Sequence, residues 1–182
     1  MTRTGLAGEL ERTRVHFHHL LEGASEVALR RRSAGTKWTN EQLLFHMVFG
    51  YMVVQALLPL VRVISHLPAG IGRGFARVLD AGARPFDVVN YYGSCAAALV
   101  FNRKRMGAKL DRVIGSLIRR QNRESDAALR RGMPFPVRWD PFFTDFMTIG
   151  ELYRYPTRHF DFHEQQLTLD GSPGIEGGPF EE

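Results

Sequence analysis

The chain has 182 residues, of which 44% are hydrophobic, and a formal net charge of +5 at pH 7. This length suits one compact domain, and this composition argues against wholesale disorder. The single cysteine, Cys95, excludes an internal disulfide and a cysteine-rich zinc site, so any bound metal must be held by histidine and carboxylate side chains.

The basic residues are spread along the chain, with small arginine clusters at residues 30–32, 119–120 and 130–131. Each cluster lies near the end of a predicted helix, where a cation interacts favourably with the helix dipole. The sequence contains no basic stripe along one element and no nucleic-acid reader motif. We therefore expect no nucleic-acid partner.

An apolar run of transmembrane length extends from Leu43 to Ile64, but it contains His46, Gln55 and Arg62, which are costly to bury in lipid. A membrane span is the alternative interpretation; the central helix of a helical bundle accounts better for these polar residues. The first ten residues have no apolar core of a secretory signal. With the single cysteine, these features predict a cytoplasmic protein that does not associate with membranes.

The first predicted helix covers Leu6 to Arg32, where apolar residues recur at helical spacing, and Gly35 ends it. Residues Thr39 to Gln42 match a capping box, which predicts a second helix from Asn40 to about Ser65. Pro59 lies inside this helix, and we expect it to kink or divide it.

The middle of the chain contains two segments of different composition. Residues 68–85 are rich in glycine, alanine and arginine, which predicts a connection with at most one short helix at Phe75–Leu79. From Phe86 to Arg131 the apolar spacing is helical again, with an expected interruption near Asn102, and Gly132 ends the pattern.

Two helix-start signals follow. Asp140 before Pro141 predicts a capped short aromatic helix over Phe142–Met147. Residues 148–151 form a second capping box, which predicts a final helix to about Leu169 with a bend at Pro156.

Residues 170–182 are rich in glycine, proline and acidic residues, and we expect them to form a flexible tail. No stretch of strand-like alternation occurs in the sequence. The sequence therefore predicts an all-α fold over residues 1–169: a four-helix bundle with extra short helices in its connections.

Two histidines in the last predicted helix, His159 and His163, lie one turn apart on the same helical face and could bind one metal ion. A metal site needs at least one more protein ligand. His46, early in the second predicted helix, is the third candidate, provided that the two helices are neighbours in the bundle.

A rival histidine cluster lies in the first predicted helix, at residues 16, 18 and 19. Only His16 and His19 share a helical face. A packed or solvated role is therefore the expectation for these three side chains.

The block from Trp38 to His46, together with the segment Tyr153–Leu167 that contains the histidine pair, resembles the DinB-like superfamily over about residues 8–168. The resemblance implies a four-helix bundle that is often dimeric. It also implies that His46, His159 and His163 bind a divalent metal, usually zinc, with nickel or iron as alternatives. We accordingly expect a homodimer.

Characterised members of this superfamily include thiol S-transferases, an isomerase and metal-dependent hydrolases. The resemblance therefore implies a metal-dependent enzyme that acts on a small electrophilic metabolite by thiol transfer or isomerisation, with a low-molecular-weight thiol as a candidate cosubstrate. A non-catalytic dimeric metal-binding or sensing protein is the alternative. A hydrolase is a further alternative, disfavoured because Asp161 and Glu164 fall away from the ligand face and no other carboxylate is predicted to face the metal.

Residues that follow or precede the histidines at helical spacing are candidates for the wall of a substrate pocket or for acid–base chemistry. The aromatic residues of the predicted helix Phe142–Met147 are further candidates for the pocket wall. The alternative is that these side chains are ordinary core residues. Cys95 is expected to be a small packed residue and not a nucleophile. The pocket candidates are Phe49, Val53, Phe142, Phe143, Tyr153, Tyr155 and Gln166.

Overall fold

A computed structural model of the protein describes residues 3–170, so the predicted tail lies outside the described residues from 171 onward. Helices dominate, with one small hairpin of two antiparallel strands within these residues. The elements in chain order are α1 (Arg3–Gly23), α2 (Glu26–Arg30), α3 (Asn40–Ile64), α4 (Ala69–Ala81), α5 (Ala83–Val100), α6 (Arg103–Gln121), α7 (Asp126–Leu129), β1 (Gly132–Pro134), β2 (Phe146–Thr148) and α8 (Ile149–Glu164).

The four long helices α1, α3, α6 and α8 form the bundle. Helix α1 packs against α6 and α8, and α3 packs against the same two helices, so each helix has two neighbours around a shared core. Phe17, Leu44, Leu110 and Leu152, one from each helix, are fully buried in it. The predicted all-α four-helix bundle with shorter connecting helices is confirmed.

Both predicted capping boxes are present and fix where the two site-bearing helices begin. The Thr39 side chain accepts a hydrogen bond from the backbone N–H of Gln42, whose side chain accepts one from the Thr39 N–H, and α3 begins at the next residue. Thr148 and Glu151 do the same before α8. Helix α3 continues through Pro59 to Ile64 and is not divided there.

Helix α3 is also the one helix within residues 3–170 that is long and apolar enough to cross a membrane. A core helix of a globular protein passes the same test, and α3 packs against α5, α6 and α8. Its polar residue His46 is buried by this packing. The arrangement therefore matches the central helix that the sequence predicts.

The first predicted helix is divided in the structure, so its prediction as one element to Arg32 is wrong. Helix α1 ends at Gly23, and Ser25 starts α2 because its hydroxyl accepts a hydrogen bond from the Ala28 N–H. Helix α8 is likewise shorter than predicted and ends at Glu164.

The connection at residues 68–85 is more helical than predicted. It holds all of α4 and the start of α5, and the predicted helix Phe75–Leu79 is only the middle of α4. Gly72 allows α4 to approach the hairpin, since a Cβ there would lie 3.2 Å from Cδ of Pro134. The predicted interruption near Asn102 is confirmed: this residue caps α6 by accepting a hydrogen bond from the Lys104 N–H.

The predicted aromatic helix Phe142–Met147 does not form. Asp140 does accept a hydrogen bond from the Phe142 N–H, but only a turn follows, and residues 146–148 become β2. The reason is tertiary pairing, because β2 runs antiparallel to β1 with Met133 opposite Met147. A Cβ on Gly132 would lie 2.2 Å from the Met147 carbonyl oxygen, so this close pairing requires glycine.

Candidate metal centre

Three histidine side chains from two helices converge between α3 and α8. The candidate ligand atoms of His46, His159 and His163 all lie within 4.8 Å of one another. Their ring centroids are 4.4 to 4.9 Å apart. The structure therefore brings the distant His46 to the helical pair, as a shared metal site requires.

Burial and mutual repulsion keep the three imidazoles neutral. Burial, and then the charge of His163, lowers the pKa of His46 to about 3. Burial also lowers the pKa of His159 well below its ordinary value, with further lowering by the other two histidines. The pKa of His163 is lowered chiefly by burial. Neutral imidazole is the form that binds a metal ion.

Hydrogen bonding leaves ring nitrogens available inside the cluster. The Nδ1 atom of His159 is buried and has no hydrogen-bond partner in the described part of the chain, and the His46 ring lies within hydrogen-bonding reach of Asn90 only. His163 Nδ1 lies 2.6 Å from Gln166 Oε1, and donation along this contact fixes the tautomer that leaves Nε2 free. Unpartnered buried polar atoms are costly, and a bound cation would satisfy them. The donor set therefore fits a divalent metal with imidazole ligands.

A cavity of about 220 Å³ opens beside the histidines. Its wall is largely aromatic and comes from α3 and the segment before it, from α5 and α8, and from the loop after β1. Trp38 stacks on His46 with ring centroids 4.3 Å apart, and Phe86 stacks on Trp139 at the same separation. The lining residues are Trp38, His46, Phe49, Gly50, Val53, Phe86, Asn90, Trp139, Asp140, Phe143, Tyr155, His159 and His163.

A carboxylate also reaches this cavity, from the loop before β2. Oδ2 of Asp140 lies 3.8 Å from Nε2 of His159 and accepts a hydrogen bond of 2.9 Å from the Tyr155 hydroxyl. Burial raises the pKa of Asp140, and burial followed by the charge of Asp140 raises that of Tyr155. The site thus holds a paired proton acceptor and donor beside the histidines. The expectation that no carboxylate faces them is wrong.

The predicted pocket residues separate into two groups. Four of them, Phe49, Val53, Phe143 and Tyr155, line the cavity. The other three lie outside its wall. Phe142 packs edge-on against Phe162, Tyr153 lines a separate cavity near the start of α8, and Gln166 bonds to His163.

The rival histidines of α1 do not converge. His16 pairs with Glu164, and His18 Nε2 lies 2.9 Å from Asp111. His19 is mostly exposed, 4.0 Å from Glu22.

The carboxylates near the histidine pair in sequence face away from the cavity. Asp161 lies 3.6 Å from Arg12 at the surface, and Glu164 makes the pair with His16. Both lie off the ligand face, as their helical positions predict. Cys95 is only half-buried on α5.

Sequence reasoning missed five side chains of the cavity wall: Trp38, Phe86, Asn90, Trp139 and Asp140. Asp140 was interpreted only as a helix cap, a role that uses its other oxygen, Oδ1. The available signal was the adjacent Trp139, whose large side chain in a polar loop indicates packing against another element. Phe86 and Asn90 carried no such signal, because α5 itself was not delimited.

Comparison with known proteins agrees with this architecture. A sequence model of the DinB superfamily matches residues 9–167. No match was found among curated proteins, and none among solved structures. The family match spans the four-helix bundle and all three converging histidines. The chain belongs to the DinB superfamily.

Proposed function

We propose that this protein binds one divalent metal ion through His46, His159 and His163 and is a metal-dependent enzyme. Its substrate would be a small electrophilic metabolite, and its reaction thiol transfer or isomerisation. The observation that carries the proposal is the triad of neutral imidazoles, two buried and His163 half-buried, that opens onto a cavity. A catalytic metal site keeps such an open side, whereas a structural site is closed by a fourth protein ligand.

Zinc is the first candidate for the metal, with nickel and iron as alternatives, because imidazole ligands suit all three ions. When bound, such an ion supplies Lewis acidity, which lowers the pKa of a coordinated thiol or water. A low-molecular-weight thiol is therefore the proposed cosubstrate.

The residues of the chain would hold the substrate and handle its protons. A volume of about 220 Å³ limits the substrate to a small molecule. The stacked rings of Phe86 and Trp139 would exclude water and favour a flat or apolar group. Asp140 Oδ2 and the Tyr155 hydroxyl form a pair that can accept a proton from a thiol and return one to the product.

Metal-dependent hydrolysis is the second candidate, and a specific observation favours it. Hydrolysis needs a proton acceptor near the attacking water, and Asp140 supplies a carboxylate within the cavity wall. The distinction between the two reactions then depends on whether the cavity admits a thiol beside the electrophile.

A non-catalytic metal-binding or sensing role is the alternative in a different class, and it predicts binding without turnover. The homodimer stays a prediction that light scattering of the purified protein tests. We also propose a cytoplasmic location, where the thiol of Cys95 would stay reduced.

The test is a turnover screen of metal-loaded protein. Small electrophiles are offered with low-molecular-weight thiols, and small esters and amides without them. We expect thiol-dependent turnover that disappears in His46→Ala and persists in His19→Ala, which alters an exposed histidine outside the triad. Turnover of esters alone would favour the hydrolase, and stoichiometric metal binding with no turnover of any compound would contradict an enzymatic role for these substrate classes.

A further inference from the structure

A second cavity, of about 310 Å³, lies at the other end of the bundle from the histidines. It lies between the C-terminal ends of α3 and α6 and the second turn of α8. Arg62 comes 16 residues after His46 on the continuous helix α3, which places it about 24 Å further along the helix axis, at about 1.5 Å per residue. The polar residues of its wall are Arg62, Arg120, Arg123, Glu124 and Tyr153.

The wall of this cavity carries excess positive charge. Arg62 pairs with Glu124, whose carboxylate is almost fully buried. Arg120 donates a hydrogen bond of 3.1 Å to the backbone carbonyl of Gln55, which is uncharged. The wall therefore carries three guanidinium groups and one carboxylate, an excess of two positive charges.

A buried hydroxyl group lies next to the carboxylate of this wall. Tyr153 is 1% exposed, and its hydroxyl lies within hydrogen-bonding reach of Glu124. Burial, followed by the charge of Glu124, raises the pKa of this phenol, so it stays protonated at neutral pH. Arg62 and Tyr153 both lie at the Glu124 carboxylate, so the candidate anion-binding groups of the wall are Arg120 and Arg123.

We propose that this second cavity binds a small dianionic oxyanion of the phosphate or dicarboxylate type. Guanidinium groups match the oxygens of both anions with paired hydrogen bonds. A dianion would balance the two excess charges. The site is separate from the histidine cluster, so the proposal does not depend on a metal being bound there.

Isothermal titration calorimetry of the full-length protein tests the proposal, with inorganic phosphate and succinate as probes at constant ionic strength. We expect saturable binding of at least one probe. Arg123→Gln should weaken it roughly tenfold, because a hydrogen bond to a charged group is lost. Tyr153→Phe should weaken it less, since it removes no positive charge from the wall. Arg119→Gln is the matched control, since Arg119 belongs to the same last turn of α6 but not to the cavity wall.

The two probes identify the source of the oxyanion. Binding of phosphate alone supports a phosphate site, binding of succinate alone supports a dicarboxylate site, and binding of both supports the shared chemistry. The proposal is overturned if neither probe binds saturably to the wild-type protein. It is also overturned if Arg119→Gln weakens binding as much as Arg123→Gln, because the effect would then reflect general charge.

Discussion

Gly50 lies directly against the imidazole of His159, one turn along α3 from His46. A Cβ added to Gly50 would lie 3.0 Å from Nδ1 and 3.3 Å from Cε1 of His159. Helices α3 and α8 can bring their histidines together because residue 50 has no side chain. The absence of a side chain at this position is therefore part of the site.

We predict that Gly50→Ala displaces the His159 ring and weakens metal binding by about tenfold or more, as expected when a ligand loses its orientation. Because alanine favours helix over glycine, the helix itself should form as well as before. Competition titration with a chromogenic chelator measures the affinity. Gly8→Ala in α1 is the control, since nothing lies within 4 Å of the added Cβ. Wild-type affinity in Gly50→Ala would contradict the requirement for a residue without a side chain at position 50.

Gln166 should act on metal affinity through His163. Its Oε1 contacts Nδ1 of that ring at 2.6 Å, and such outer hydrogen bonds typically change metal affinity by about 10- to 100-fold. We predict that Gln166→Ala weakens metal binding by about tenfold while the number of ions per chain is unchanged. The neighbouring Gln165 is exposed, and Gln165→Ala should bind metal like the wild type. Equal affinities in the two variants would remove this role.

Asp140 should matter for turnover more than for metal binding. Asn at this position keeps an oxygen that can accept the hydrogen bond from the Phe142 N–H, so the loop should hold its shape. It loses the charge that accepts a proton, and such catalysis typically contributes about 10² to 10⁴ in rate. We predict that Asp140→Asn lowers the turnover number by about a hundredfold or more with full metal content.

Asp145→Asn in the same loop is the control for this substitution, because its side chain is exposed and outside the cavity. Unchanged turnover in Asp140→Asn would contradict proton transfer by this carboxylate. A loss of bound metal would instead identify Asp140 as a metal ligand.

The alkaline stability of the protein should depend on Tyr51. Burial raises the pKa of this phenol from 10.0 to about 12, and its hydroxyl lies 3.2 Å from that of Thr157. Above pH 10 the unfolded chain releases this proton and the folded chain keeps it, so stability falls as the pH rises from 10 to 12.

We predict that, at pH 12, the alkaline loss of unfolding free energy is about 2 kcal/mol smaller in Tyr51→Phe than in the wild type. The reason is that one pKa unit corresponds to about 1.4 kcal/mol. Urea unfolding of both proteins from pH 8 to 12 measures the difference. Parallel curves for the two proteins would contradict the prediction. Tyr92→Phe, at an exposed position, is the control.

The sequence was sufficient to place the histidines because local signals locate both helices. Thr39 and Thr148 begin capping boxes, and a box satisfies orphan N–H groups within one turn, so it can be recognised without tertiary information. Once these helix starts are known, helical periodicity places His46 and His163 on defined faces. That the two faces meet followed from the family resemblance.

The cavity wall could not be predicted in the same way, because it depends on pairing between distant segments. Asp140 accepts the predicted capping hydrogen bond from the Phe142 N–H. Pairing of β2 with β1 nevertheless prevents the helix that this cap predicts. Trp139 is held by a hydrogen bond of 2.8 Å from its indole N–H to the Leu79 carbonyl on α4. The sequence does not predict the full length of α4 because this helix is rich in glycine. These contacts, and not local propensity, bring the carboxylate to the histidines.

The most direct test of the account is the metal content of the purified protein, measured by elemental analysis after expression in medium supplied with zinc, nickel and iron. We predict one tightly bound divalent ion per wild-type chain, retention of that ion in His19→Ala, and its loss in His159→Ala and His163→Ala. Wild-type protein without a divalent ion, or triad variants that keep it, would contradict the assignment of His46, His159 and His163 as a metal centre.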